Sequence, residues 1–184
     1  ITSNAFIARA YARMVQAFFS DRKRLGFVDE KYYILELGAG SGRFAYHFLR
    51  EMTRLEADAP ADQPRFCYVA SDIVPANLEF WAQHPRFQPF LQSGRFDYAL
   101  FDATCDQKLE LQHSGQHIRP GDVDTPLITI GNYFFDTIPQ ELLAVSQKQF
   151  QKGWLGLECE EDIEEMPVAR ILQTLQLDYY FDDE

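Results

Sequence analysis

Apolar and polar positions follow two rhythms along the chain. In residues 4–20, Ile7, Tyr11, Met14 and Phe18 recur at the i, i+4, i+7, i+11 spacing of one helix face, and Arg9, Arg13 and Gln16 lie elsewhere on the wheel. Thr2, Ser3 or Asn4 can cap this helix. It reads as a packing helix or a lid over a ligand. Phe44, Ala45, Phe48, Leu49, Met52 and Leu55 keep the same spacing, until prolines and small polar residues break the pattern over 56–65. Four short apolar runs, at 32–35, 66–71, 96–101 and 126–130, are each bounded by turn residues, as buried strands of a parallel sheet are. A short helix over 75–83 separates the second and third. Strands alternating with helices predict an α/β fold with a doubly wound, mostly parallel sheet.

The later rhythm is different. Residues 84–95 are irregular, with Pro85, Pro89 and Gly94, and the polar stretch 104–125 predicts a loop or short hairpin. Residues 142–147 and 154–159 predict a hairpin across 148–153. Residues 166–175 then predict a helix and 177–181 a strand. Two or so further strands expected of such a sheet are not found after residue 160. The sheet is therefore expected to be incomplete there, and the chain to be one part of a longer protein.

The first strand runs into Glu36-Leu37-Gly38-Ala39-Gly40-Ser41-Gly42-Arg43-Phe44. Three glycines at alternate positions permit a sharp turn and close approach of the backbone to a ligand. The following helix aims its free N–H groups over that turn. A dinucleotide fingerprint is G-x-G-x-x-G, but Arg43 stands where its third glycine would fall. Glu36 would repel a pyrophosphate and suits a cationic ligand. The stretch resembles motif I of the class I S-adenosylmethionine-dependent methyltransferases, a Rossmann-like family. The resemblance implies that Glu36 holds the methionine end of S-adenosyl-L-methionine and that Gly38, Ala39, Gly40 and Gly42 line it. Asp72, with Ile73 beside it, ends the second strand, where an acid can accept hydrogen bonds from ribose hydroxyls. Asp72 can also cap the helix that begins at Pro75, but ribose binding is the favoured reading, because only it uses the first motif. Asp102 and Ala103 end the third strand, at the position the family places near the adenine amino group. Asp97 reads as a turn residue.

The fourth strand leads into Gly131-Asn132-Tyr133-Phe134-Phe135-Asp136-Thr137-Ile138-Pro139. This element resembles the N-E-F-F-D-A-L-P of the MidA-type methyltransferases, a family linked to respiratory complex I assembly. It implies that Asn132 borders the cofactor and that Asn132, Tyr133 and Asp136 position a methyl acceptor. The acceptor is a protein side chain such as arginine, or a small molecule. Two departures bear on substrate: the family's first motif usually reads G-P-G-R-G, and Tyr133 replaces its acid. The resemblance covers residues 30–160. An inactive methyltransferase-fold binding or assembly protein is the alternative reading, and an NAD-dependent oxidoreductase a second.

Composition narrows the classes. The chain has 184 residues, 46% apolar and 15% aromatic, which suits one globular domain. That domain is read as a cofactor-binding part over 1–160, with an acidic segment over 161–184. No apolar run reaches membrane-spanning length, so no membrane partner is expected. Three cysteines without a C-x-x-C pair suit a reducing compartment, and a cytoplasmic location is expected. The net charge is −11, of which residues 158–184 carry −9. Nucleic acid is therefore not an expected partner. The acidic segment reads as a solvated face, or as an attractor of a basic protein. His113 and His117 lie four apart near Cys105, but Gly115 between them disfavours a helical metal site, so no metal is expected.

Overall fold

A computed structural model describes residues 3–57, 65–146, 148–158 and 167–183. The chain divides into two compact units, Ile1–Thr137 and Ile138–Glu184.

The first unit is built on a parallel sheet. Its strands are β1 (Lys31–Leu37), β2 (Arg65–Asp72), β3 (Phe96–Leu100) and a short one, Ile128–Ile130, labelled β6 in chain order. Between β3 and that strand lie β4 (Leu109–Glu110) and β5 (His117–Ile118), which pair antiparallel. The sheet order is β3-β2-β1-β6, all parallel, so the winding reverses between β1 and β6. This is the α/β, mostly parallel architecture that the apolar runs predict.

One face of the sheet is covered by helices α1 (Ala5–Arg24), α2 (Arg43–Ala57), α3 (Pro75–Gln83) and α4 (Gln88–Gln92). Tyr32, Ile34, Phe66, Tyr68, Ala70, Phe96 and Ile130 project into that layer and meet Phe44, Phe48, Leu49, Met52 and Trp81. The rings interlock: Phe48 lies 5.0 Å from Tyr68, and Phe87 stacks on Phe96 at 4.6 Å. Removing one such ring costs about 3–5 kcal/mol. The opposite face carries Leu35, Cys67, Val69 and Ala99, covered by Leu109, Leu111 and Ile118 of the hairpin segment.

Two details differ from the expectations. The most deeply buried stripe of α1 is Ala8, Ala12, Val15 and Phe19, one position along from the predicted face. Ile7, Tyr11 and Phe18 of that face are partly buried against the same core, and Met14 is exposed. Ala8 and Ala12 are fully buried, and small side chains there admit close packing of α1, which packs against α2. Asn4 is the cap, accepting from the N–H groups of Phe6 and Ile7. Asp97 lies buried within β3 rather than in a turn. Its carboxylate accepts from the N–H groups of His113 at 2.9 Å, Ser114 at 3.1 Å and Tyr98 at 2.8 Å, and so fixes the hairpin segment against the sheet.

The second unit is a three-stranded antiparallel sheet of β7 (Leu142–Ser146), β8 (Gln149–Glu158) and β9 (Gln176–Asp183), with α5 (Val168–Thr174) before β9. The predicted loop 148–153 is mostly strand, because pairing runs from Leu142↔Gly153 to Ser146↔Gln149. Lys148 takes a φ of +68° at the bend. Gly153 sits in mid-strand because any Cβ there would lie 2.7 Å from Leu142 and 2.8 Å from Phe181. The predicted strand end at Cys159 and helix start at Met166 lie outside the described residues.

Candidate functional site

In an open parallel sheet, ligands bind beyond the carboxyl ends of the strands, at the point where the winding reverses. Here that point is the end of β1, flanked by β2 and β6. Leu37 pairs with Ser71 and Glu36 with Ala70 on one side, and Glu36 with Ile130 on the other.

Glu36 is 5% exposed and lies within the aromatic layer. The Tyr68 hydroxyl donates to its Oε2 at 2.7 Å. Burial pushes the Glu36 carboxyl up to about 8, only partly opposed by the Tyr68 hydrogen bond, and nearby Asp72 pushes the same way. Glu36 therefore holds its proton at neutral pH unless a positive charge arrives beside it. The Ser71 hydroxyl donates to the Glu36 carbonyl at 2.8 Å, locking the ends of β1 and β2 together.

The turn that follows is held to β2 by two bonds. The Ala39 N–H donates to the Ser71 carbonyl at 2.9 Å, and the Gly40 N–H donates to Asp72 Oδ2 at 2.9 Å. Asp72 Oδ1 accepts from the Val74 N–H at 3.0 Å, so the carboxylate also shapes the entry to α3. Each carboxylate oxygen still has a lone pair to offer. Gly40 has a φ of +55° and open space where a Cβ would point. Gly42 also has positive φ, but its Cβ position is blocked by the Trp81 indole at 2.7 Å and Phe87 at 3.0 Å. Gly42 thus serves packing beneath the turn, while Gly40 faces open space. Gly38, at φ +66°, lies under the Phe134 ring, 3.2 Å from where its Cβ would be.

Phe134 belongs to the turn after β6, so this contact brings the two motifs together. Asn132 in the same turn accepts from the Tyr11 hydroxyl of α1 at 2.8 Å, and its buried Nδ2 finds no acceptor among the described residues. A buried amide N–H₂ without a partner costs about 1–3 kcal/mol, and a ligand acceptor would relieve that cost. Tyr133, with a φ of +56°, and Phe135 are both more than half exposed, and Asp136 is exposed.

The structure thus gathers Glu36, Gly38, Ala39, Gly40, Asp72 and Asn132 at one sheet edge. Exposed Ile73 follows Asp72 outward. Asp102 and Ala103 follow β3 on the same edge, but the Asp102 carboxylate is engaged in its own turn. It accepts from the Thr104 N–H at 2.9 Å and hydroxyl at 2.6 Å, bonds that hold its pKa below the usual range. Tyr11, Tyr68 and Phe134 are members of the site that the chain pattern did not single out. Phe134 stood inside the second motif; Tyr11 and Tyr68 required the sheet register and the seat of α1. Among the described residues no group of three His, Cys, Asp or Glu side chains could hold a metal ion. No described helix is long and apolar enough to cross a membrane.

No protein-family model matches the chain, and no curated protein matches it. Among solved structures it is similar to that of an uncharacterized ACR protein from Burkholderia thailandensis. The identity is 16% and the TM-score 0.44, over 98% of this chain and 36% of that one. The chain therefore spans little more than a third of that protein's length.

Proposed function

We propose that the first unit is an S-adenosylmethionine-dependent methyltransferase domain. The observation that carries the reading is the hydrogen bond from the Gly40 N–H to Asp72. It ties the glycine turn of the first motif to the acid ending β2, at the sheet's reversal point. The residues fit the cofactor on three counts: a buried acid able to become charged, a turn glycine open on its outer side, and an unpartnered buried amide.

S-adenosylmethionine, when bound, supplies an activated methyl group on its sulfonium. Glu36 and the turn at Gly38, Ala39 and Gly40 would hold the cationic methionine end. A positive charge beside Glu36 would favour its ionised form, so the carboxyl would release its proton to solvent on binding the cation. Asp72 would accept from the ribose hydroxyls, with Ile73 alongside. Asp102 and Ala103 would border the adenine. Asn132 would use its free Nδ2 toward the cofactor, held in orientation by Tyr11. Tyr133 and Asp136, exposed on the same turn, would meet the acceptor. An arginine acceptor would pair its guanidinium with Asp136. Because a guanidinium stays protonated, one N–H proton would have to pass through the paired Asp136 carboxylate to solvent as the methyl group arrives. Orientation of this kind is worth several kcal/mol of barrier.

Thermal unfolding with candidate ligands tests the reading. A ligand at about a hundred times its dissociation constant stabilises by roughly 2.7 kcal/mol. S-adenosylhomocysteine is expected to raise the melting temperature, and NAD(H) is not. A response to NAD(H) alone would replace the reading with an oxidoreductase. No response to either would replace it with a non-catalytic binding protein.

A further inference from the structure

The chain is strongly acidic, yet one face of the first unit is basic. Along α2, Arg43, His47, Arg50 and Arg54 recur at i, i+4, i+7 and i+11, a stripe about 16 Å long at 1.5 Å per residue. Arg9 and Arg13 of α1 lie beside its far end, and Arg86 beside its near end. Two open clefts of about 480 and 500 Å³ share His47 and make the surface continuous.

The arginines are not all alike. Glu51 takes up three of them: Arg54 bonds it at 2.8 Å, and Arg9 and Arg13 approach to 3.7 Å. Arg43, Arg50 and Arg86 have no carboxylate within ion-pair distance among the described residues. Instead the guanidiniums of Arg50 and Arg86 both lie over the Tyr46 ring, at 5.6 and 5.4 Å from its centre. Like charges gathered round one ring cost energy in the free protein unless an anion joins them. Their fields overlap at His47, where burial first, and then Arg43, Arg50 and Arg86, hold the imidazole below its usual pKa. Phe80, about half exposed, lines the same cleft as Tyr46.

Six arginines and Glu51 give this face +5, so the rest of the first unit, itself −3 in total, carries −8. A long polyphosphate strand is disfavoured by the negative net charge of the unit as a whole, and a patch of about 16 Å offers it few contacts. A short segment carrying a few carboxylates stays within the patch. Guanidiniums also match carboxylates in paired geometry, which lysine ammoniums do not. We propose that this face, centred on Arg43, Arg50 and Arg86 around Tyr46, docks a short acidic polypeptide segment of a partner protein. The role is separate from the sheet-edge site and does not depend on its assignment.

Fluorescence anisotropy of a labelled decaglutamate peptide, titrated with the intact chain at 50 mM salt, tests the proposal. Saturable binding is expected, weakened at least tenfold in the triple variant Arg43→Gln, Arg50→Gln, Arg86→Gln and at least tenfold by 300 mM salt. Circular dichroism of the variant confirms its fold, since all three side chains are exposed. A single Arg119→Gln variant, outside the patch, is expected to bind as the parent does. Equal binding by the triple variant, or no binding by the parent, would overturn the proposal. So would tighter binding of a labelled ten-nucleotide oligothymidine, or of phosphatidylserine vesicles, which would reassign the face to nucleic acid or membrane.

Discussion

Glu36→Gln is the most informative single substitution. Gln keeps the shape of a protonated carboxyl, and its carbonyl can still accept from Tyr68, but it cannot ionise. In the parent chain the carboxyl titrates near its ordinary value of 4.5 when unfolded and at about 8 when folded. Between those values the folded state keeps a proton that the unfolded state has lost, so stability falls as pH rises. The contribution is complete below pH 4.5 and gone above about pH 8. At about 1.4 kcal/mol per pH unit, the span comes to roughly 5 kcal/mol, an upper bound for a group with one hydrogen-bond partner. The assay is urea unfolding of the ligand-free proteins at half-unit steps from pH 5 to pH 9. Glu36→Gln is expected to gain on the parent steadily across that range and to level off above pH 8. Parallel profiles would mean that Glu36 is already ionised and hydrated in the folded chain. A gain by the parent with rising pH would reverse the sign and refute the burial argument.

Four further outcomes follow from the same geometry. Gly42→Ala is expected to cost about 2–5 kcal/mol, from overpacking against Trp81 and Phe87 plus left-handed strain, whereas Gly40→Ala costs only the strain, about 1–2 kcal/mol; equal losses in chemical denaturation would contradict this. Asp97→Asn is expected to destabilise by about 1–3 kcal/mol and to speed amide exchange at His113 and Ser114, which lose a charged acceptor; unchanged exchange there would contradict the anchoring role. Affinity for S-adenosylhomocysteine is expected to weaken about tenfold per pH unit below pH 8, and Glu36→Gln is expected to abolish that slope; an equal slope in both proteins would place the titration elsewhere. Asp136→Ala is expected to leave S-adenosylhomocysteine binding intact and to reduce methyl transfer to protein acceptors in a lysate given labelled donor; lost cofactor binding would move Asp136 into the cofactor site.

Much of the parallel sheet was legible because its strands are short apolar runs whose neighbours break chain direction. The run before Glu36 and the amphipathic spacing after Gly42 needed no tertiary information. Of the large apolar residues of α1, Ile7, Tyr11 and Phe18 do pack on the core and Met14 does not. The deepest positions are Ala8 and Ala12, which a count of large apolar residues passes over, although small residues are what a close helix contact selects. The role of Asp97 is hidden for a related reason: position at a strand start says nothing about which loop N–H groups will reach it. The hairpin after residue 140 has a shorter loop than its sequence predicts, since polar Gln149, Gln151 and Lys152 hide strand pairing in a sheet with little burial. The site was legible where residues are contiguous, in its two motifs. Their union was not, since Phe134 over Gly38, Tyr68 on Glu36 and Tyr11 on Asn132 are contacts across distant sequence. The different duties of Gly40 and Gly42 likewise emerge only when Trp81 is in place.

A crystal structure of the chain grown with S-adenosylhomocysteine tests the central claim most directly. The ligand is expected at the carboxyl ends of β1, β2 and β6, its ribose within hydrogen-bond distance of Asp72 and an acceptor atom on Asn132 Nδ2. Ligand bound elsewhere, or that sheet edge unchanged at saturating ligand, would contradict the account.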